Sequence, residues 1–305
     1  PLTEINGLIF KIKPVKQAKN DKYNKSTSQE VIVSESCFKT FACLLKYTVL
    51  KLGMTAPHHR KDRDNYVEIH SNNYKSKKYF EIFDDSKAKT FGTGYDFGSI
   101  TNEKETYKSK NGKSTIEPKQ EKYKFMMGYS KSLSFNDAKI LNYMYCDKCK
   151  DSPIRCENGG YPDYNDCTKC ICPEGFKSRK CVEIDTDHDM CSYTELGAFE
   201  EEEIFKQRVF KYDKYSRCVY KFSSIIGTRI QMSINVITPN KTQCVESDFE
   251  LKYQKDKGAT GLKICGDYFN NTTNILSEDN KVLLIFKRYG RNDIEIKYKA
   301  VKTVN

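Results

Sequence analysis

The placement of cysteine constrains this 305-residue chain more than any other feature. Most of its thirteen cysteines lie between Cys149 and Cys265, and the whole chain has only four histidines. A metal site of the intracellular kind draws on histidine partners that this stretch does not supply in number. The spacing therefore predicts a disulfide framework made in an oxidising compartment. Cys149, Cys156, Cys167, Cys170, Cys172 and Cys181 belong to a unit too small to bury a sufficient core, so covalent staples are expected. The Asn-x-Ser/Thr triplets at Asn24, Asn240, Asn270 and Asn271 are glycosylation acceptors in a secreted chain. Secretion is the expected localisation.

The length predicts two or three domains. No uninterrupted apolar run is long enough to cross a membrane, so no membrane span is expected. The chain begins at Pro1 without an apolar leader and reads as a mature or truncated product. A formal net charge of +11 invites a nucleic-acid reading, which needs a basic stripe with interleaved aromatics. The lysines are instead spread along the chain among acidic residues, predicting a solvated basic surface and no nucleic-acid partner. Weak attraction to acidic glycans or cell surfaces remains in character.

Texture divides the chain. Residues 147–182 are dense in cysteine and rich in Gly and Pro. Beyond about residue 187 the pattern alternates, as in Ile230–Val236 and Ile294–Ala300, which puts one strand face in a core and the other in water. Val282–Phe286 is continuously apolar, as suits a central strand. With turn formers between the runs, a β-sandwich follows. In the first 146 residues one helix is expected over Cys37–Leu52, where Phe41, Leu44, Leu45, Val49 and Leu52 form a stripe that stops at Gly53. Ser134 and Asp137 have the spacing of a capping box for a second helix, to about Tyr143.

The text Cys156-Glu157-Asn158-Gly159-Gly160-Tyr161-Pro162 and Cys170-Ile171-Cys172-Pro173-Glu174-Gly175-Phe176 resembles EGF-like modules, specifically those that follow nematode astacin domains. That resemblance implies the pairs Cys149–Cys167, Cys156–Cys170 and Cys172–Cys181. Cys191, Cys218, Cys244 and Cys265, with Cys244-Val245-Glu246-Ser247-Asp248-Phe249-Glu250-Leu251, are similar to a CUB module, implying Cys191–Cys218 and Cys244–Cys265. The first stretch resembles the astacin family of zinc metalloendopeptidases (metzincins). It does so through Arg60-Lys61-Asp62-Arg63-Asp64-Asn65-Tyr66-Val67-Glu68-Ile69, Tyr95-Asp96-Phe97-Gly98-Ser99-Ile100, and Leu133-Ser134-Phe135-Asn136-Asp137. The expected organisation is multidomain. An α+β partial astacin-like domain spans 1–146 with much of its N-terminal sheet missing, an EGF-like module spans 147–182, and an all-β CUB sandwich spans 187–301.

Astacins hold zinc with HExxHxxGxxH, two histidines one helical turn apart and a third after a glycine turn, with the glutamate polarising the metal-bound water. With Gly53 as anchor, the resemblance puts the ligand positions on Lys46, Leu50 and Ala56 and the glutamate on Tyr47. The methionine of the family's Met-turn falls on Thr101 and its tyrosine on Glu103. Leu50 and Ala56 carry no donor atom. The Lys46 ammonium repels a dication, and the Tyr47 phenol, with an ordinary pKa near ~10, is a poor replacement for a carboxylate base. No catalytic or metal residue and no cofactor is therefore expected, although the family uses zinc.

A substitute site from His58, His59 and His70 competes with their being surface histidines, and the surface reading is preferred. Asp62, Arg63 and Asp64 are expected to form a structural ion-pair and capping cluster. Cys37, Cys43 and Cys146 are an odd set with open pairing; six residues of regular helix separate two cysteines too far to bridge. The leading expectation is a secreted pseudoenzyme that binds an extracellular protein or glycan through its EGF-like and CUB modules. Its rival is an active zinc metalloendopeptidase read from an incomplete gene model, and a decaying duplicate without function is a third reading.

Overall fold

The computed structural model describes residues 9–13, 30–186, 191, 193–207, 216–237, 249–264, 272–288 and 293–303. Strand β1 (Ile9–Lys13) runs parallel to β2 (Glu30–Ser34). Val31 and Val33 alternate inward on β2 and cluster with Cys37, and Cys43, Leu44 and Tyr47 pack against them.

The single helix expected over Cys37–Leu52 is two helices, α1 (Glu35–Phe38) and α2 (Phe41–Lys51). β-branched Thr40 breaks them apart in an extended conformation, φ −122°, and its hydroxyl donates to the Ser36 carbonyl at 3.2 Å. The break lets Cys37 pair with Cys43 at a Cα separation of 5.3 Å. A continuous helix would hold those positions about 9 Å apart along its axis, beyond disulfide reach. Cys146 is left as a free thiol. Phe41, counted in the apolar stripe, is 73% exposed, whereas Val49 is buried.

Gly53 ends α2 with φ +100°, the left-handed region in which a Cβ is strained. The chain then runs through short turns to β3 (Val67–Ile69), which pairs antiparallel with β4 (Ile116–Pro118). Helix α3 (Phe135–Tyr145) opens on a complete capping box: the Ser134 hydroxyl accepts from the Asp137 amide and the Asp137 carboxylate from the Ser134 amide.

The cysteine-dense stretch forms two small hairpins, β5 (Tyr161–Pro162) with β6 (Cys170–Ile171) and β7 (Phe176–Lys177) with β8 (Glu183–Ile184). They are tied by the bridges Cys149–Cys167, Cys156–Cys170 and Cys172–Cys181. Gly175 (φ +98°) lets this unit approach the sandwich, since a Cβ there would lie 3.0 Å from Leu283.

The remaining strands are β9 (Glu195–Gly197), β10 (Glu203–Gln207), β11 (Ser216–Ser223), β12 (Thr228–Ile237), β13 (Phe249–Lys252), β14 (Leu262–Ile264), β15 (Thr273–Leu276), β16 (Lys281–Arg288) and β17 (Asp293–Lys302). They form a four-stranded sheet, β10-β17-β12-β15, and a five-stranded one, β14-β13-β16-β11-β9. The two alternating runs are β12 and β17, paired antiparallel with Ile230 opposite Ala300 and Ile234 opposite Ile296. The apolar run Val282–Phe286 lies in β16, in the centre of the second sheet, and is buried throughout. Cys191–Cys218 bridges within this part. Cys244, Cys265, Asp248, His188 and the sequon residues Asn24, Asn240, Asn270 and Asn271 fall outside the described residues.

One hydrophobic core crosses from the first stretch into the sandwich. Tyr95, Phe97, Tyr123 and Met126 share it with Leu251, Tyr253 and Phe286. Asp256, in the loop between β13 and β14, accepts from the Gly94 amide at 2.7 Å and the Asn136 side-chain amide at 2.9 Å. Thr260 packs so closely on Gly98 that a Cβ there would stand 2.4 Å from its hydroxyl oxygen. The expectation of a solvated basic surface fails at three described lysines, of which Lys139 is buried on α3 and donates to the Gly159 carbonyl at 2.9 Å. Lys252 and Lys257 are buried, their ammonium groups tied to carbonyls of the same loop.

Candidate functional site

Of the positions that the resemblance implies, Lys46 and Glu103 meet where α2 faces the turn at residues 99–103. Lys46 projects from α2 to place its Nζ 2.9 Å from Glu103 Oε2, and it donates to the Asn102 carbonyl at 2.8 Å. Both side chains of the ion pair are 18% exposed, so the attraction is less screened than at an open surface. Asn102 is buried and holds the turn, its side-chain amide donating to the Phe97 carbonyl at 3.1 Å and its oxygen accepting from the Glu103 amide at 3.1 Å. Thr101 is buried, with its hydroxyl 2.9 Å from that of Ser99 and donating to the Thr55 carbonyl at 3.4 Å.

The other positions do not converge on Lys46 as donors. Tyr47 packs toward the Val31–Val33–Cys37 cluster. Leu50 and Ala56 present hydrocarbon, and Ala56 is 5% exposed. Zinc sites take three or four nitrogen, sulfur or carboxylate ligands at about 2.0–2.3 Å. A lysine held by a carboxylate and two hydrocarbon side chains do not fit that group, so no step is derived through a metal at this position. Among the described residues no group of three His, Cys, Asp or Glu side chains is placed to hold a metal.

His58, His59 and His70 are held by structural partners. His58 is buried, which corrects its placement at the surface. Its Nε2 is 3.2 Å from the Tyr79 carbonyl and its ring lies 4.1 Å from that of His59, which stacks on Phe83. Burial first, and the neighbouring His59 second, hold the His58 imidazole well below its usual pKa. His70 lies elsewhere, its Nε2 3.0 Å from Glu117.

The Asp62–Asp64 segment is an ion-pair clamp. Arg60 grips both oxygens of Asp62 at 2.8 Å and donates to the Thr93 carbonyl at 2.9 Å. Arg63 donates to the carbonyls of His58 and Phe80 and pairs with Asp64 at 3.2 Å.

Beneath the turn, Asp137 does more than cap α3. Its carboxylate also accepts from the Ser99 hydroxyl at 2.6 Å and the Ile100 amide at 2.8 Å. Burial, reinforced by the nearby Asp96 charge, pushes the Asp137 carboxyl up to about 6. Asp96, itself raised by burial, accepts from the Gly98 amide at 2.9 Å and, across to the sandwich, the Thr260 amide at 3.2 Å.

A second charged cluster escapes the sequence reading. Glu250 and Lys252 have side chains 6% and 4% exposed and lie 3.3 Å apart, and Lys263 closes on the other Glu250 oxygen. Burial would raise the Glu250 carboxyl, but Lys252 and Lys263 overcome it and hold the group down to about 2. Two opposite charges at i and i+2 on one strand face were the available signal.

Residues 22–146 match the model of the Astacin family of peptidases. The chain is similar to zinc metalloproteinase nas-30 of Caenorhabditis elegans, with 30% identity over 262 residues, covering 81% of this chain and 33% of that protein. It is also similar to zinc metalloproteinase nas-34 of the same organism, 27% identical over 252 residues, covering 81% and 40%. The chain thus spans less than half the length of these relatives. Among solved structures, the hatching enzyme HCE-1 of Oryzias latipes aligns over 45% of this chain and 68% of its own, with 22% identity and a TM-score of 0.38. The CUB1-EGF-CUB2 fragment of human MASP-1/3 aligns over 51% and 57%, with 16% identity and a TM-score of 0.29. At such TM-scores neither likeness carries an argument.

The sequence similarity corrects one expectation. Absence of any implied cofactor does not hold, because the relatives are named zinc metalloproteinases and zinc is the metal of the matched family.

Proposed function

Because residues 22–146 belong to the astacin family, we propose that this chain is a secreted member that does not cleave protein at the α2 site. It acts by binding an extracellular protein or glycan. Residues 147–182 are an EGF-like spacer and 187–301 a CUB sandwich that presents the binding surface. The reading rests on the Lys46–Glu103 ion pair. Hydrolysis in this family needs a metal-bound water and a carboxylate to take its proton. Tyr47 stands in place of that carboxylate, and an ammonium already engaged by Glu103 and the Asn102 carbonyl stands in place of the first imidazole.

Secretion is supported by the bridges at Cys37–Cys43, Cys149–Cys167, Cys156–Cys170, Cys172–Cys181 and Cys191–Cys218, which persist in oxidising compartments. The triplets at Asn24, Asn240, Asn270 and Asn271 are the glycan acceptors of that reading. Among the described residues no helix is long and apolar enough to cross a membrane.

Binding is tested with fluorescently labelled chain on a surface coated with basement-membrane matrix. Saturable retention that unlabelled chain displaces is expected. Retention that stays linear with concentration contradicts the proposal.

A further inference from the structure

The three stretches of the chain meet around an open cleft of about 270 Å³, separate from the Lys46–Glu103 pair. The loop before α3 contributes Ser130, Lys131 and Ser132, the cysteine-rich unit contributes Glu174, and the sandwich contributes Glu250, Lys252 and Lys263. Clefts at domain junctions are favoured ligand sites because several rigid elements can converge polar groups on one small volume.

Its inner wall is built and fixed. Glu250 accepts from the Gly261 amide at 2.8 Å and from Lys263 and pairs ionically with Lys252, and Lys252 donates to the carbonyls of Lys257 and Ala259, each at 3.0 Å. Buried ion clusters add little stability over hydrocarbon of the same volume, so stability alone does not explain one on the wall of a cleft. Held rigid, these charges orient an incoming polar group without reorganising.

The sign of the wall selects the ligand. Lys131, Lys252 and Lys263 outnumber Glu174 and Glu250, and the chain's charge of +11 adds longer-range attraction for anions. At the rim Lys131 and Ser132 are exposed, and hydroxyls such as those of Ser130 and Ser132 can both donate to and accept from ring hydroxyls. The volume lies just below the ~300–1,000 Å³ of pockets for drug-sized molecules, which suits one ring unit rather than a chain. We infer that the three-way cleft binds a single acidic sugar unit, a uronate or sulfated hexose. Its anionic group meets Lys131 and Lys263, and its hydroxyls meet Ser132 and Glu250. The inference rests on the binding role proposed above and names the class of ligand.

Calorimetric titration of the full chain with a sulfated heparin disaccharide, with maltose as the neutral control, tests it. One-to-one binding of the disaccharide and none of maltose is expected. Lys131→Glu weakens binding at least about tenfold, while Lys113→Glu, exposed and outside the cleft lining, changes it less than about twofold. Thermal melts of both variants check that each is folded. Equal weakening by the two substitutions reduces the effect to a diffuse basic surface and overturns the inference, as does a flat titration. Saturable retention on matrix together with a flat titration sinks this inference alone. Loss of both sinks the binding role as well.

Discussion

Lys46 and Glu103 are joined ammonium to carboxylate at 2.9 Å, each side chain only 18% exposed. The contact ties α2 to the turn that follows Ile100. Lys46→Met takes that cation from Glu103 in a partly desolvated place, at a cost between those of exposed and fully buried pairs, about 1–3 kcal/mol. The double variant Lys46→Met/Glu103→Met is expected to recover part of the loss, because no lone charge remains. Urea midpoints of the two variants check the order.

Asp256 is the polar rivet between the sandwich and the first stretch, accepting from Gly94, Asn136 and Gly258. Asp256→Ala leaves these donors without their acceptor, and roughly 2–4 kcal/mol is expected to be lost. Because one core crosses the junction, the wild-type chain should melt in a single calorimetric transition. Asp256→Ala should split or broaden it; two separate transitions in the wild type contradict the shared core.

Alkylation of the unreduced protein, followed by peptide mapping, is expected to label Cys146 and to recover Cys37 joined to Cys43. Replacing that pair by serine frees a short loop in the unfolded chain, which predicts a loss of about 2 kcal/mol.

Two buried carboxylates give opposite pH signatures. The Glu250 carboxyl is held down to about 2 against an ordinary value of about 4.3. Its stabilisation is present above that ordinary value and is lost as pH falls toward 2. The Asp137 carboxyl is pushed up to about 6 from about 3.9. Its contribution is full below pH ~4 and is lost as pH rises through 6. Thermal midpoints of wild type and Asp137→Asn between pH 4 and 7 check this. The wild type should lose stability relative to the variant as pH rises across that window.

Local periodicity made much of the fold legible. The alternation over Ile230–Val236 and Ile294–Ala300 is a register of facing strands, and the spacing of Ser134 and Asp137 is a closed capping box. Thr40 is harder to read, because a helix break set by one β-branched residue and a bridge leaves the apolar spacing on either side intact. His58 looks like a surface group because nothing nearby in sequence shows that Phe80 and Tyr107 close over it. Strand β13 is buried at every position, since Phe249 and Leu251 join the core that crosses the junction while Glu250 and Lys252 face the cleft between modules. That junction forms from segments far apart in sequence, which no local pattern encodes. At the proposed site, each residue could be assigned only through the resemblance. The pairing of Lys46 with Glu103 required the fold.

Incubation of the purified chain with denatured protein and short peptide substrates, zinc supplied and cleavage followed by mass spectrometry, bears most directly on the central claim. The Lys46–Glu103 pair and Tyr47 predict no products beyond those of a buffer control. Products that form with zinc and vanish with a chelator would contradict it and return the chain to the working proteases of its family.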